Sequence, residues 1–197
     1  MLSRNRGSFD AFTVRYTSIS NRITTPVHVW AAFDPIQTPT TPELYAETVA
    51  LWDTGATASM ITRDTAEKLD LVATGSTLIH HAAGVGQANT YIVNIGLPNR
   101  VMVVGVSAVE CAEANGQFGL IVGMDIISRG DLAITNLNNA TWVSFRIPSM
   151  QQMDYVLEWN QLKYAGTPRN APCPCGAKDV RGRPIKYKFC HGRSTIP

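Results

Sequence analysis

The chain has 197 residues, 45% of them hydrophobic and 16% charged, which is material for one domain of usual size plus an appendage. Nowhere do about 18 apolar residues follow one another, so no membrane-spanning helix is expected; "VMVVGVSAV" (101–109) is the longest apolar candidate and is strand-sized. "MLSRNRGSFD" at the start carries two arginines with no apolar run behind them, so no secretory leader is expected and an intracellular, soluble protein is the default reading.

In chain order, "FTVRYTSI" (12–19) and "TTPVHVWAAF" (24–33) alternate or run apolar and are rich in β-branched and aromatic residues, which predicts two strands. "DPIQTPTTPE" (34–43), with three prolines, is a loop, and "LYAETVALWD" (44–53) is a strand that ends on a carboxylate. "TRDTAEKLDL" (62–71) has helical spacing, with Thr62 or Asp64 as its cap. "STLIHHAAGVGQANTYIVNIGL" (76–97) predicts two strands around a glycine-bearing tip, and "RVMVVGVSAV" (100–109) a further strand. "GLIVGMDIISRGDLAI" (119–134) begins as a buried strand, breaks at Gly123 and becomes a short helix from about Asp125; "ATWVSFRI" (140–147) is again a strand. "SMQQMDYVLEWNQLKY" (149–164) predicts a helix and "AGTPRNAP" a linker. The organisation expected is a mostly β domain over 1–148, a helical connector and linker over 149–170, and a small basic module over 171–197.

Charge and cysteine are both unevenly spread. From Lys163 onward there are eight Lys/Arg and one acidic residue, Asp179, against nine basic and fourteen acidic residues before it. Such a block is either an interaction tail or a solvated tail with no partner. Cys111 stands apart, whereas Cys173, Cys175 and Cys190 crowd the last 25 residues, a pattern that points to a metal more than to disulfides in an intracellular chain.

Asp53, in "ALWDTGATASMIT" (50–62), is the residue with the clearest chemical promise. A carboxylate at the end of an apolar strand, followed by Thr54 and Gly55, sits in a turn where the backbone can come close to a substrate. One carboxylate cannot efficiently both activate water and protonate a leaving amine; two that share a proton can. The chain has a single Asp-Thr-Gly, so the second copy must come from another subunit, which a two-fold dimer supplies.

"LWDTGATASMI", followed some 70 residues on by "LIVGMDII", resembles the retropepsin-like aspartic proteases, over roughly residues 12–147. The resemblance implies a mostly β, half-barrel fold that dimerises, an endopeptidase acting on peptides or proteins without a catalytic cofactor, and Asp53, Thr54 and Gly55 as the catalytic motif. It further implies a hairpin flap whose tip holds Gly84, Val85 and Gly86, and substrate contacts from these, from Ala56 and from Ile121. Many members pair an acidic residue with an arginine at the positions of Thr57 and Met124; both charges are absent here, which puts that ion pair in doubt and leaves the fold standing.

"APCPCGAKDVRGRPIKYKFCHGR" (171–193) offers Cys173, Cys175, Cys190 and His191, a four-ligand set that zinc prefers and that leaves no open position, hence a structural metal. The stretch resembles the SEC-C motif, found at the C-terminus of a preprotein translocase and in diverse bacterial proteins, although "KDVRGRP" makes the ligand spacing longer than usual. That resemblance implies a docking role, with a ribosome, RNA or an acidic protein as the partner, in a bacterial cytoplasm. A non-proteolytic adaptor that uses the same scaffold is the alternative reading.

Overall fold

The structure is a computed structural model that describes residues 9–38, 40–81, 84–98, 101–112 and 116–192, and only the backbone of 79–81, 84 and 85. It divides into two compact units, Met1–Met150 and Gln151–Pro197. Among the described residues no helix is long and apolar enough to cross a membrane.

The first unit is mostly β. Its strands are β1 (Asp10–Arg15), β2 (Thr24–Ala31), β3 (Ala46–Trp52), β4 (Met60–Thr62), β5 (Gly75–His81), β6 (Gly84–Gly96), β7 (Met102–Cys111), β8 (Leu120–Val122), β9 (Asp131–Thr135) and β10 (Trp142–Ile147), with the short helices α1 (Arg63–Lys68) and α2 (Met124–Ile127). One sheet runs β2-β3-β8-β4-β7-β6-β5, and an added β2–β6 pairing closes its first six members into a ring. Closure is possible because β6 is thirteen residues long: one edge pairs first with β5 and then, at Val93–Gly96, with β2, while the other pairs with β7. Strand alternation fills the ring, with Val27, Val29, Val93, Ile95, Val106, Leu120 and Val122 all buried. Each such side chain contributes about 1.5–3 kcal/mol of transfer free energy.

The second sheet, β1-β10-β9, is joined to the ring by aromatic rings. Phe12 of β1 lies 5.7 Å from Trp52 and 6.1 Å from Phe145 of β10, and Trp52 and Phe145 are 4.9 Å apart. Strands β4 and β9 are absent from the sequence reading. A three-residue strand shows no periodicity, and β9 follows helix α2 so closely that its "LAI" has no separate signal.

Asp131, at the start of β9, anchors the end of β10. It accepts hydrogen bonds from the Met150 N–H (2.8 Å), the Ser149 hydroxyl and Arg146 Nε (2.7 Å). These donors, the Met150 N–H foremost, hold its carboxyl down to about 2 from an ordinary 3.8. A depressed folded-state pKa stabilises above the unfolded value and loses that stabilisation as pH falls through the folded one. Asp131→Asn is therefore expected to cost about 2 kcal/mol at pH 7. In urea melts across a pH series, the difference from wild type should shrink between about pH 4 and pH 2; a difference independent of pH would assign the loss to something other than this carboxylate.

Helix α1 is capped by Thr62, whose hydroxyl accepts the Thr65 N–H. Its Arg63 joins the foot of the β5–β6 hairpin through Glu110, which accepts hydrogen bonds from Arg63 Nε (3.1 Å) and Nη2 (2.9 Å), Asn89 (3.0 Å) and the Tyr91 hydroxyl (2.6 Å). The Tyr91 bond leads the causes that lower the Glu110 pKa, so this nearly buried carboxylate stays charged and satisfied.

In the second unit, α3 (Tyr155–Lys163) begins later than the predicted 149, because the Asp154 carboxylate caps the Leu157 N–H at 2.9 Å. The rest is turns, two β-bridges (Pro172↔Lys186 and Lys178↔Pro184) and a 3-10 turn at Tyr187–Phe189.

Candidate active site and metal centre

Asp53 stands one residue past β3, on a loop that leads to β4. The short β8 lies between these two strands, parallel to β3 (Trp52↔Val122) and antiparallel to β4 (Met60↔Ile121). The Asp53 loop therefore arches across the end of β8, and hydrogen bonds to β8 and α2 hold it there. The Asp53 N–H donates to Val122 O (3.0 Å), the Met124 N–H to Ala56 O (2.8 Å) and the Gly123 N–H to Ser59 Oγ (3.1 Å). The carboxylate, half-buried, accepts the Gly55 N–H through Oδ1 at 2.8 Å.

Closeness and not left-handed backbone constrains both glycines, mildly at Gly55 and severely at Gly123. A Cβ on Gly55 would stand 3.2 Å from Asp53 Oδ1. One on Gly123 would stand 2.6 Å from the Ala58 carbonyl carbon and 2.9 Å from Ala56 O, although its φ of −93° suits any residue. Gly123→Ala must push the Asp53 loop off β8. The expected cost is about 3 kcal/mol, measured by chemical denaturation, and a variant as stable as wild type would show that the loop can yield.

Thr54 and Gly55 are exposed and Ala56 is half-buried. Ile121 points away from the face that buries Leu120 and Val122, and is half-buried opposite Leu51 and Met60. Gly84, Val85 and Gly86 were expected at the hairpin tip. They lie instead in the first residues of β6, paired with His81, His80 and Ile79, because the strands extend further than the glycines suggested. The connection between the strands, 82–83, is outside the described residues. Thr57 is exposed and Met124 partly so, in keeping with the missing ion pair.

Sequence reasoning missed Ser59, which is fully buried and donates to Asp125 Oδ1 at 2.7 Å. Asp125 also accepts the Ile126 N–H (3.0 Å), a bond within the short helix, whose N-cap is Gly123 and which has no side-chain cap. The missed signal was a lone polar residue at the end of a small-residue loop.

In the second unit, Cys173, Cys175, Cys190 and His191 place their ligand atoms within 4.8 Å of one another, close enough to hold a metal ion. Cys175 and Cys190 Sγ are 3.6 Å apart, and His191 Nδ1 is 3.3 Å from Cys173 Sγ and 3.4 Å from Cys190 Sγ. Edges of a tetrahedron built on ordinary zinc–sulfur and zinc–nitrogen bonds are about 3.6–3.8 Å, so the set fits a four-coordinate ion and is far too open for a disulfide. Burial opposes ionisation of the Cys173 thiol, but the Cys175 N–H, then the His191 side chain and N–H, outweigh it and bring the thiol down to about 6. Burial and the neighbouring thiols push Cys190 up to about 11, the mark of negative charge crowded where a cation would relieve it.

The turn after the first ligand pair uses Gly176 at φ +76°, with its N–H on Cys173 O (3.1 Å). Tyr164 packs on His191 with centroids 4.8 Å apart and the rings tilted by 43°, and a Cβ on Gly192 would strike the Tyr187 ring at 2.6 Å. Neither contact was legible in the sequence. Cys111 ends β7, half-buried and in no disulfide.

No protein-family model and no curated protein matches the chain. Solved structures similar to it include a retropepsin-like aspartic protease from Rickettsia conorii, at 11% identity and TM-score 0.43 over 71% of this chain and 96% of that one. EIAV protease, complexed with an inhibitor, matches at 20% identity and TM-score 0.41 over 55% and 88%. Simian foamy virus (mac) protease matches at 16% and 0.34 over 52% and 91%.

Proposed function

We propose that this protein is an aspartic endopeptidase whose two-carboxylate dyad forms across a homodimer, and that its C-terminal unit is a zinc-held docking module. The observation that carries the reading is the single Asp53 on its braced loop: the half-buried carboxylate is fixed by the Gly55 N–H and the loop by β8 and α2. Such rigidity is what a dyad needs, since two carboxylates must meet within about 3 Å to share a proton.

Each subunit supplies one Asp53. The ionised member takes a proton from water as the oxygen attacks the scissile carbonyl carbon, while the protonated member donates to the carbonyl oxygen. The resulting gem-diol collapses with cleavage of the C–N bond: the proton held by the first carboxylate passes to the leaving amine, and one gem-diol hydroxyl returns its proton to the second carboxylate as the carbonyl re-forms. The pair titrates as a unit. Thr54 braces the paired loops and Ala56 and Gly55 meet the substrate backbone. Ile121 lines an apolar side-chain pocket, and Gly84, Val85 and Gly86 close over the substrate with their hairpin.

In the C-terminal module Cys173, Cys175, Cys190 and His191 would hold zinc, which supplies folding energy and no open coordination site. A reducing compartment such as the bacterial cytoplasm keeps these thiols available. The basic residues around them suit a ribosomal surface, RNA or an acidic protein.

The test is cleavage of a peptide library by the full chain, read by mass spectrometry from mildly acidic to neutral pH, beside Asp53→Asn. Cleavage by the wild type alone supports the dyad and reveals its preferences. Equal cleavage by both identifies a contaminant. No cleavage by a dimeric, zinc-loaded sample favours a peptide-holding scaffold instead.

A further inference from the structure

We propose that Ser59 and Asp125 are the positioning pair of the Asp53 loop: they set the height of the catalytic carboxylate over β8, and so its distance from its mate in the dimer. The inference rests on the aspartic peptidase reading and adds to it which residues outside the Asp-Thr-Gly motif adjust the dyad.

Ser59 is fully buried, and a buried hydroxyl must find partners. It uses both of its capacities at one place, donating to Asp125 Oδ1 (2.7 Å) and accepting the Gly123 N–H (3.1 Å). Its backbone carbonyl accepts the Val109 N–H (3.1 Å), so the residue is pinned from β7 and from the corner between β8 and α2. Asp125 is fixed in turn by the Ile126 N–H.

The loop between Asp53 and Ser59 thus has three attachments to the corner of β8 and α2, besides the backbone bond of Ser59 to β7. Its start is held at Val122 O, its middle at the Met124 N–H and its end by the Ser59 side chain. The first two are backbone bonds that any sequence could form. The third depends on the side chains of Ser59 and Asp125, 66 positions apart in the chain. There is no slack between the layers, because Gly123 already packs against the Ala56 and Ala58 carbonyls where a Cβ would not fit. Removing the hydroxyl leaves the Gly123 N–H unpaired and takes one donor from Asp125, so the loop end keeps its backbone bond to β7 but loses its hold on the corner of β8 and α2. A displacement of about 1 Å at a reacting group can cost about 100-fold in rate, whereas peptide binding, spread over the whole cleft, should change little.

The test measures kcat and KM on a peptide chosen from the library cleavage, together with amide hydrogen exchange of the full chain. Ser59→Ala should lower kcat about 10- to 100-fold with KM within about 2-fold, and speed exchange at the loop amides while the amides of β2 and β6 stay protected. Ser59→Thr, which keeps the hydroxyl, should return kcat to within about 3-fold of wild type. Asp125→Asn, which keeps the accepting oxygen, should do far less harm than Asp125→Ala. Wild-type kcat and unchanged loop exchange in Ser59→Ala would overturn the proposal. So would a uniform loss of protection across the first unit with no rescue by threonine, which marks a stability role only. Should wild type and Asp53→Asn cleave equally, the peptidase reading fails by itself, and the exchange data alone then decide whether the pair holds the loop.

Discussion

On the aspartic peptidase reading, Asp53→Asn is expected to lower kcat about 100- to 10,000-fold while leaving the oligomeric state and the thermal stability intact. Amide and carboxylate have nearly the same shape, and Asp53 Oδ1 already serves as an acceptor for the Gly55 N–H, a duty that an asparagine oxygen can take over. What disappears, under the proposed function, is the group that takes the proton from water, and general acid–base assistance of this kind is worth about 100- to 10,000-fold. Symmetry adds a sharper form of the experiment. If each active site needs one Asp53 from each subunit, a dimer of wild type with Asp53→Asn is dead. Mixing one part wild type with nine parts variant, and allowing exchange, leaves about one wild-type chain in ten paired with another. Activity per wild-type chain should therefore fall to about one-tenth. If it stays at its undiluted value, each subunit works alone and the shared dyad is wrong.

If the Cys/His cluster holds zinc as proposed, removal of that ion should have the largest structural effect, confined to the C-terminal unit. Among the described residues of Gln151–Pro197 only Cys173, 4% exposed, is buried. No apolar core is available to hold the turns between residues 169 and 192 together. Helix α3, nine residues long with none buried, is too short to persist by itself in water. On the zinc reading the fold of this unit depends on four ligands and one ion, and structural zinc contributes about 10–16 kcal/mol in small modules at pH 7. Treatment with a strong chelator should disperse the Tyr187 and Gly192 resonances toward random-coil positions in an NMR spectrum and leave those of Val29, Ile95 and Leu120 where they were. Added zinc should restore the first set. Cys173→Ser should mimic the chelator. A C-terminal unit that keeps its spectrum without metal would have to owe its order to contacts other than the ligand cluster.

Much of both sites could be read from the chain because each rests on local chemistry. Asp53-Thr54-Gly55 combines a carboxylate and a turn within three residues, and the Cys-x-Cys and Cys-His pairs each bring two ligands together through one tight turn. Strand alternation in 24–33 and the long apolar run of 100–109 likewise revealed β structure without reference to anything distant. The helix cap at Thr62 was one of two offered, and local geometry chose it.

The sequence by itself determined which chemical groups this protein can deploy: one turn-borne carboxylate, one four-ligand cluster, a basic tail and a mostly β body. Tertiary structure alone decided how they are held. It threaded β8 between β3 and β4, made strands of Met60–Thr62 and Asp131–Thr135, moved Gly84–Gly86 from the tip into β6, and joined Ser59 to Asp125 and Tyr164 to His191. The reason is physical. A turn or a ligand pair is specified by neighbours whose separation the backbone fixes, so spacing encodes it. A three-residue strand or a buried hydroxyl is stabilised by partners dozens of residues away, and their identity exists only once the chain has closed on itself.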